Sequence, residues 1–217
     1  MSTSSRLFAV IPAAGRSRRM GRPKLLLPLG DETVIARQIR LLGRPEIEAI
    51  VVVVRPDDEP LRAEVAAHRG IALQPASAPP EMRDSVEYAL RWIGDQYHPA
   101  PDDGWLLCPA DHPLIEKAVL DLVLERWRGS EDQILIPTCR GKRGHPVLMR
   151  WSLVPEVFAL SAEVGLNALV RNRAGEVAEL EVGRESVIAD LDTPEDYERV
   201  LRESGKRKAE SGRRKGQ

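Results

Sequence analysis

The chain has 217 residues, 42% of them hydrophobic, and a formal net charge of −1. That length and apolar content suffice for one packed core, and the charge balance argues against nucleic acid or an anionic membrane as a partner. No apolar run approaches the ~18 residues of a membrane span. The two cysteines, Cys108 and Cys139, lie far apart without metal-site spacing, and the polar start, residues 1–6, has no apolar signal region. A cytoplasmic monomer with reduced cysteines is therefore expected.

Leu7 to Ile11 is apolar on both faces and bounded by Pro12, as in a buried strand. Ala13, Ala14 and Gly15 follow, small enough for backbone N–H groups to approach a ligand closely. Arg16, Arg18, Arg19 and Lys24 then follow, four of the five cations in the nine residues from 16 to 24. A strand feeding such a loop suits a polyphosphate, because backbone donors form an anion nest and the cations neutralise the charge. Neither G-x-x-x-x-G-K-[ST] nor G-x-G-x-x-G is present.

Thr33 to Gly43 has helical spacing, and Ile47 to Val54 is a β-branched run suited to a strand covered on both sides. Asp57-Asp58 caps a helix reaching about His68, Ile71 to Leu73 is a short strand, and Gln74 to Glu81 is a Pro-rich loop. A helix is expected from Arg83 to Gln96, a strand from Gly104 to Cys108, and a helix from Glu116 to Arg128. Strands at Gln133 to Pro137 and Gly144 to Met149 precede short helices at Trp151 to Leu160 and Gly165 to Asn172. Val177 to Val182 and Val187 to Ile188 read as late strands. Thr193-Pro194-Glu195-Asp196 opens the last helix, with Thr as cap, Pro at the first helical position and an acid three residues beyond the cap. Residues 1–204 are read as one domain and 205–217 as a basic, unstructured tail. Alternating strands and helices predict a three-layer, doubly wound α/β fold with a mostly parallel sheet. Ligands of such sheets bind beyond the carboxyl ends of the strands, which puts the loop after the first strand and the turn at Asp111 on one edge.

Asp111 lies between Pro109 and Pro113, on a stiff turn after an apolar strand. It suits either a site carboxylate or a cap for the next helix. Asp190 and Asp192 are two apart on an extended segment and so share a face. Magnesium takes few carboxylates together with phosphate oxygens, so one Asp from each segment is the economical arrangement.

The stretch Ala13-Ala14-Gly15-Arg16-Ser17-Arg18-Arg19-Met20-Gly21-Arg22-Pro23-Lys24 resembles the signature A-A-G-x-S-x-R-M-G-x-x-K of MobA-like nucleotidyltransferases, with every fixed position filled. Pro12 departs from the pattern and removes one backbone donor. The resemblance extends over about residues 6 to 203. It includes Pro80 to Ser85, Pro109 to Pro113, Arg143-Gly144-His145-Pro146-Val147 and Asp190 to Pro194, and is most similar to the molybdenum cofactor cytidylyltransferases. It implies a Rossmann-like nucleotidyltransferase fold and transfer of CMP from CTP to the phosphate of molybdopterin, with pyrophosphate released. It further implies Mg²⁺ on Asp111 and Asp190, with Asp190 preferred because Asp192 stands nearer the last helix and serves its cap. Arg19, Lys24 and Asp111 would be catalytic. The nucleotide would lie against Ala13, Ala14, Gly15, Ser17, Arg19, Lys24, Met82, Ser85 and Pro109, and the acceptor against Gly144 and His145. A molybdoenzyme that receives the cofactor is the implied protein partner. GTP in place of CTP, a sugar-1-phosphate acceptor, and a non-catalytic nucleotide-binding or cofactor-delivery role are the alternatives.

Overall fold

The computed structural model describes residues 5–161 and 163–214, with side chains described as far as residue 205. In chain order it contains β1 (Leu7–Pro12), β2 (Pro28–Leu29), β3 (Glu32–Thr33), α1 (Val34–Leu42), β4 (Ile47–Val53), α2 (Glu59–Ala67), β5 (Ile71–Leu73) and α3 (Met82–Tyr97). There follow β6 (Gly104–Leu107), α4 (Lys117–Trp127), β7 (Ile134–Cys139), β8 (Lys142–Arg143), β9 (Val147–Arg150), α5 (Val154–Ala159), α6 (Asn167–Asn172), β10 (Val177–Glu181) and α7 (Pro194–Arg214).

The central sheet runs β10-β7-β9-β6-β1-β4-β5, with β8 paired to β7. β1 pairs in parallel with both β4 and β6, while β9 is antiparallel to β6 and β7. The sheet is thus mixed and mostly parallel, as expected. Strands β1 and β6 at its centre are apolar on both faces because both faces are covered there. In β1, Leu7, Ala9 and Ile11 pack toward α1, α2, α4 and α7, while Phe8 and Val10 pack toward α3, α5 and α6. The period-two alternation of a strand divides one apolar run between two cores.

Caps fix where the helices begin. The Thr33 hydroxyl accepts from Ala36 N, and the Asp58 carboxylate accepts from Leu61 N. At α7 the Thr193 hydroxyl accepts from Asp196 N while the Asp196 carboxylate accepts from Thr193 N, a reciprocal pair that satisfies two orphan donors.

The structure differs from the sequence reading at four places. Val187 lies in a 3-10 turn, Glu185–Val187, rather than a strand, and its carbonyl accepts from His145 N instead of joining a ladder. The strand expected from Gly144 begins only at Val147, because Gly144 and His145 bond to Pro137 O and Val187 O outside the regular pairing. The β2–β3 hairpin, turned through Gly30 at φ 75°, has strands of only two residues, too short to show a sequence pattern. The segment read as a tail continues α7 as far as Arg214, and residues 215–217 lie outside those described. Among the described residues no helix is long and apolar enough to cross a membrane.

Candidate active site

β1 stands where the chain order reverses, with β4 on one side and β6 on the other. The loops leaving β1 and β6 therefore diverge and open a crevice at the carboxyl edge of the sheet. That crevice is a cleft of about 700 Å³ bounded by Ala13 to Gly15, the segment from Ala78 to Met82, the turn at Pro109 to His112, and His145.

The loop after β1 is held at both ends. Ala13 N donates to Val53 O at 2.9 Å, and Met20 is buried as an apolar pin. Between these points Ser17 takes a positive φ of 48°, and its hydroxyl accepts from Lys24 N at 3.4 Å. Ser17 thus shapes the loop. It faces a smaller cavity of about 320 Å³, shared with Arg55 and Asp58. Arg55, which the sequence reading passed over, donates to Gly15 O at 3.0 Å and is anchored to Asp58 at 2.7 Å.

Lys24 is the centre of the site. Its Nζ lies 3.0 Å from Asp111 Oδ2 and 3.0 Å from Asp192 Oδ1. The ammonium side chain is only 12% exposed, against 30% and 19% for the two acids. Asp192 also accepts from Arg19 Nη2 at 2.7 Å. The two acidic segments are joined by backbone, Leu191 N donating to Asp111 O at 2.8 Å. Asp192 does not cap α7, since Thr193 and Asp196 do. Its carboxylate is directed at the cations, so the reason for preferring Asp190 fails. Asp190 is exposed, and its charge acts on His112. Asp111 is likewise no helix cap, because α4 begins after Glu116.

His112 and His145 stand beside Asp111 with ring centroids 4.7 Å apart. Burial, and then neighbouring His112, push the His145 imidazole down to about 4, against the pull of Asp111. Burial also lowers His112, again opposed by Asp111. Both rings are therefore held toward the neutral form. Burial, reinforced by Asp111, pushes the Cys108 thiol up to about 12 and leaves it inert.

Of the expected contacts, Ala13, Ala14, Gly15, Lys24, Met82, Ser85, Pro109, Asp111 and His145 line the larger cleft. Arg16 and Arg18 line it as well. Arg19 reaches the site through Asp192. Gly144 is not a wall of the cleft. A Cβ there would stand 2.4 Å from Val187 O, so its small size serves packing. Among the described residues no cluster of three or more His, Cys, Asp or Glu is arranged around a metal position. The Asp111–Asp192 pair nonetheless fits a divalent cation, since two carboxylates already share one cation, the Lys24 ammonium, and a phosphate-bound Mg²⁺ needs few protein oxygens.

The chain is similar to proteins of known name. The 2-C-methyl-D-erythritol 4-phosphate cytidylyltransferase of Halorhodospira halophila is 36% identical over 140 residues, 61% of this chain and 57% of that one. The chain thus spans little more than half the length of that relative. The purine catabolism protein PucB of Bacillus subtilis is 25% identical over 200 residues, 90% of this chain and 96% of that one. Rv0371c of Mycobacterium tuberculosis H37Rv superposes with a TM-score of 0.73 at 27% identity, covering 92% of this chain and 99% of that one. The same protein has been solved in complex with manganese. The family described as the MobA-like NTP transferase domain matches residues 9–178, and the chain belongs to it.

Proposed function

We propose that the protein is a divalent-cation-dependent nucleotidyltransferase that transfers CMP from CTP to the phosphate of molybdopterin and releases pyrophosphate. The observation that carries this reading is the Lys24 ammonium held between Asp111 and Asp192 at the edge of a cleft walled by the Ala13–Gly15 backbone. A cation set between two acids, beside a loop of cations and exposed amides, matches the charges of a metal–triphosphate.

A phosphate monoester needs no strong base, because its second pKa is about 6 and it is already a nucleophile near neutrality. An acceptor oxygen forms a bond to the α-phosphorus, the bond from that phosphorus to the bridging oxygen breaks, and the electron pair leaves with pyrophosphate. The protein's task is to position two anions in line and spread the charge. Backbone N–H groups of Ala14 and Gly15 cradle the phosphates, the Ala13 N–H being held by Val53 O. Lys24, Arg16 and Arg18 neutralise them, and Arg19 assists from the rim. Met82 and Ser85 meet the nucleoside, Pro109 closes the wall beside it, and His145 faces the acceptor. Asp111 and Asp192 would hold Mg²⁺, which would supply charge neutralisation for the phosphates, while Asp190, the acid preferred on sequence, is exposed. The manganese complex of Rv0371c, 25% identical to this chain, supports the choice of a divalent ion.

A second reading keeps this chemistry and makes 2-C-methyl-D-erythritol 4-phosphate the acceptor. The 36% identical relative named for that substrate favours it. Incubating the purified protein with Mg²⁺, each of the four NTPs and either acceptor, and measuring pyrophosphate, tests both. Release only with CTP and molybdopterin is the expected result. Release with the erythritol phosphate moves the protein to the second reading, release with GTP corrects the base, and silence throughout removes both acceptors and turns the assay to sugar phosphates.

A further inference from the structure

The buried stripe of α1 consists of Ile35, Gln38, Ile39 and Leu42, spaced i, i+3, i+4 and i+7. Three of the four are aliphatic. Gln38 is the exception, and it is only 1% exposed. A buried amide is tolerated only where its donors and acceptor are used, and here all are directed at the turn that carries Asp111. Gln38 Nε2 donates to His112 O at 2.7 Å and to Pro109 O at 3.3 Å, while its Oε1 accepts from Cys108 Sγ at 3.5 Å. One side chain thus ties the residue after Asp111 to the residue two before it. The turn has prolines at 109 and 113, which contribute no N–H of their own. Two further carbonyls are held from outside: Arg37 Nε donates to Pro113 O at 2.9 Å and Leu191 N to Asp111 O at 2.8 Å.

We infer that Gln38 is a positioning residue for Asp111, a buried amide clamp that fixes the Pro109–His112 turn so that the Asp111 carboxylate stands opposite Asp192. The inference rests on the proposed role of Asp111 as a cation-holding acid. Gln38 touches no substrate and acts only through the turn. Gln38→Met keeps the length of the side chain and removes both donors. In the full chain it is expected to weaken binding of Mn²⁺ alone, followed by titration calorimetry, at least fivefold. It should also lower kcat at least tenfold while the KM for CTP stays within twofold. Ile39→Val, on the same helix stripe, loosens the packing and leaves the clamp whole. It is expected to lower the thermal midpoint with Mn²⁺ affinity and kcat unchanged. If Gln38→Met does not fold, Gln38→Glu preserves the shape and carries the same expectations. Mn²⁺ affinity and kcat within twofold of the unsubstituted protein overturn the clamp. Asp111→Asn separates the two levels. Weakened binding in that variant beside unchanged binding in Gln38→Met removes the clamp alone, whereas unchanged binding in Asp111→Asn removes the role of Asp111 and the clamp with it.

Discussion

Lys24 and Asp192, 168 residues apart in the chain, meet with Nζ 3.0 Å from Oδ1. The pair joins the first loop to the segment before the last helix, so the site closes only when both ends of the fold are in place. Both side chains are mostly buried, which makes the pair stronger than an exposed ion pair and more costly to break.

Lys24→Ala leaves Asp111 and Asp192 facing each other without a shared cation. The expected loss of stability is about 1–2 kcal/mol, between the ranges for exposed and buried pairs. Turnover is expected to fall by about 100-fold or more, as for the loss of one preorganised charge-stabilising donor. Chemical denaturation and pyrophosphate release measure the two effects separately. A variant with near-normal turnover removes Lys24 from the chemistry.

Asp190→Asn and Asp192→Asn distinguish the two late acids. Asp192 shares Lys24 with Asp111 and also holds Arg19, whereas Asp190 is exposed. The concentration of Mg²⁺ needed for half-maximal rate is expected to rise about tenfold or more in Asp192→Asn and by less than about threefold in Asp190→Asn, in the range seen when groups supporting a metal are lost. The reverse order would return the role to Asp190.

Stability is expected to fall on mild acidification. His145 is held near 4 in the folded protein against 6.5 ordinarily, so the unfolded chain binds more protons between those values. Stability is therefore full above about pH 6.5 and declines toward pH 4, by about 3 kcal/mol from this group if the shift is taken whole. His145→Gln should flatten that slope in denaturant midpoints measured across this window. An unchanged slope would assign the acid sensitivity elsewhere.

Gly144→Ala tests packing rather than chemistry. Its Cβ would meet Val187 O at 2.4 Å and Val187 C at 2.7 Å, both backbone atoms that cannot swing away. A loss of about 1–3 kcal/mol is expected, or roughly 3–10 °C in a thermal scan for a chain of this size. An unshifted midpoint would return Gly144 to the acceptor site.

The loop and most of the cleft were legible in the sequence because the signals are local. Small residues followed by closely spaced cations suit an anion by their own spacing, and Asp111 is held by flanking prolines within five residues. Continuous apolarity in Leu7 to Ile11 and Ile47 to Val54 likewise fixes strands covered on both faces, the usual setting of a mostly parallel sheet. Three features came only from the tertiary structure. Asp192 is directed at Lys24 because Thr193 and Asp196 between them satisfy the helix start. Gly144 is a packing contact because a 3-10 turn from a distant segment lies against it. Gln38 reaches the Asp111 turn across 71 residues, and its only trace in sequence is a polar side chain on an apolar helix stripe. Backbone propensity and residue spacing act over a few positions and are written in the chain. Which carboxylate meets which cation depends on distances closed by the whole fold, and only the packed structure determines them.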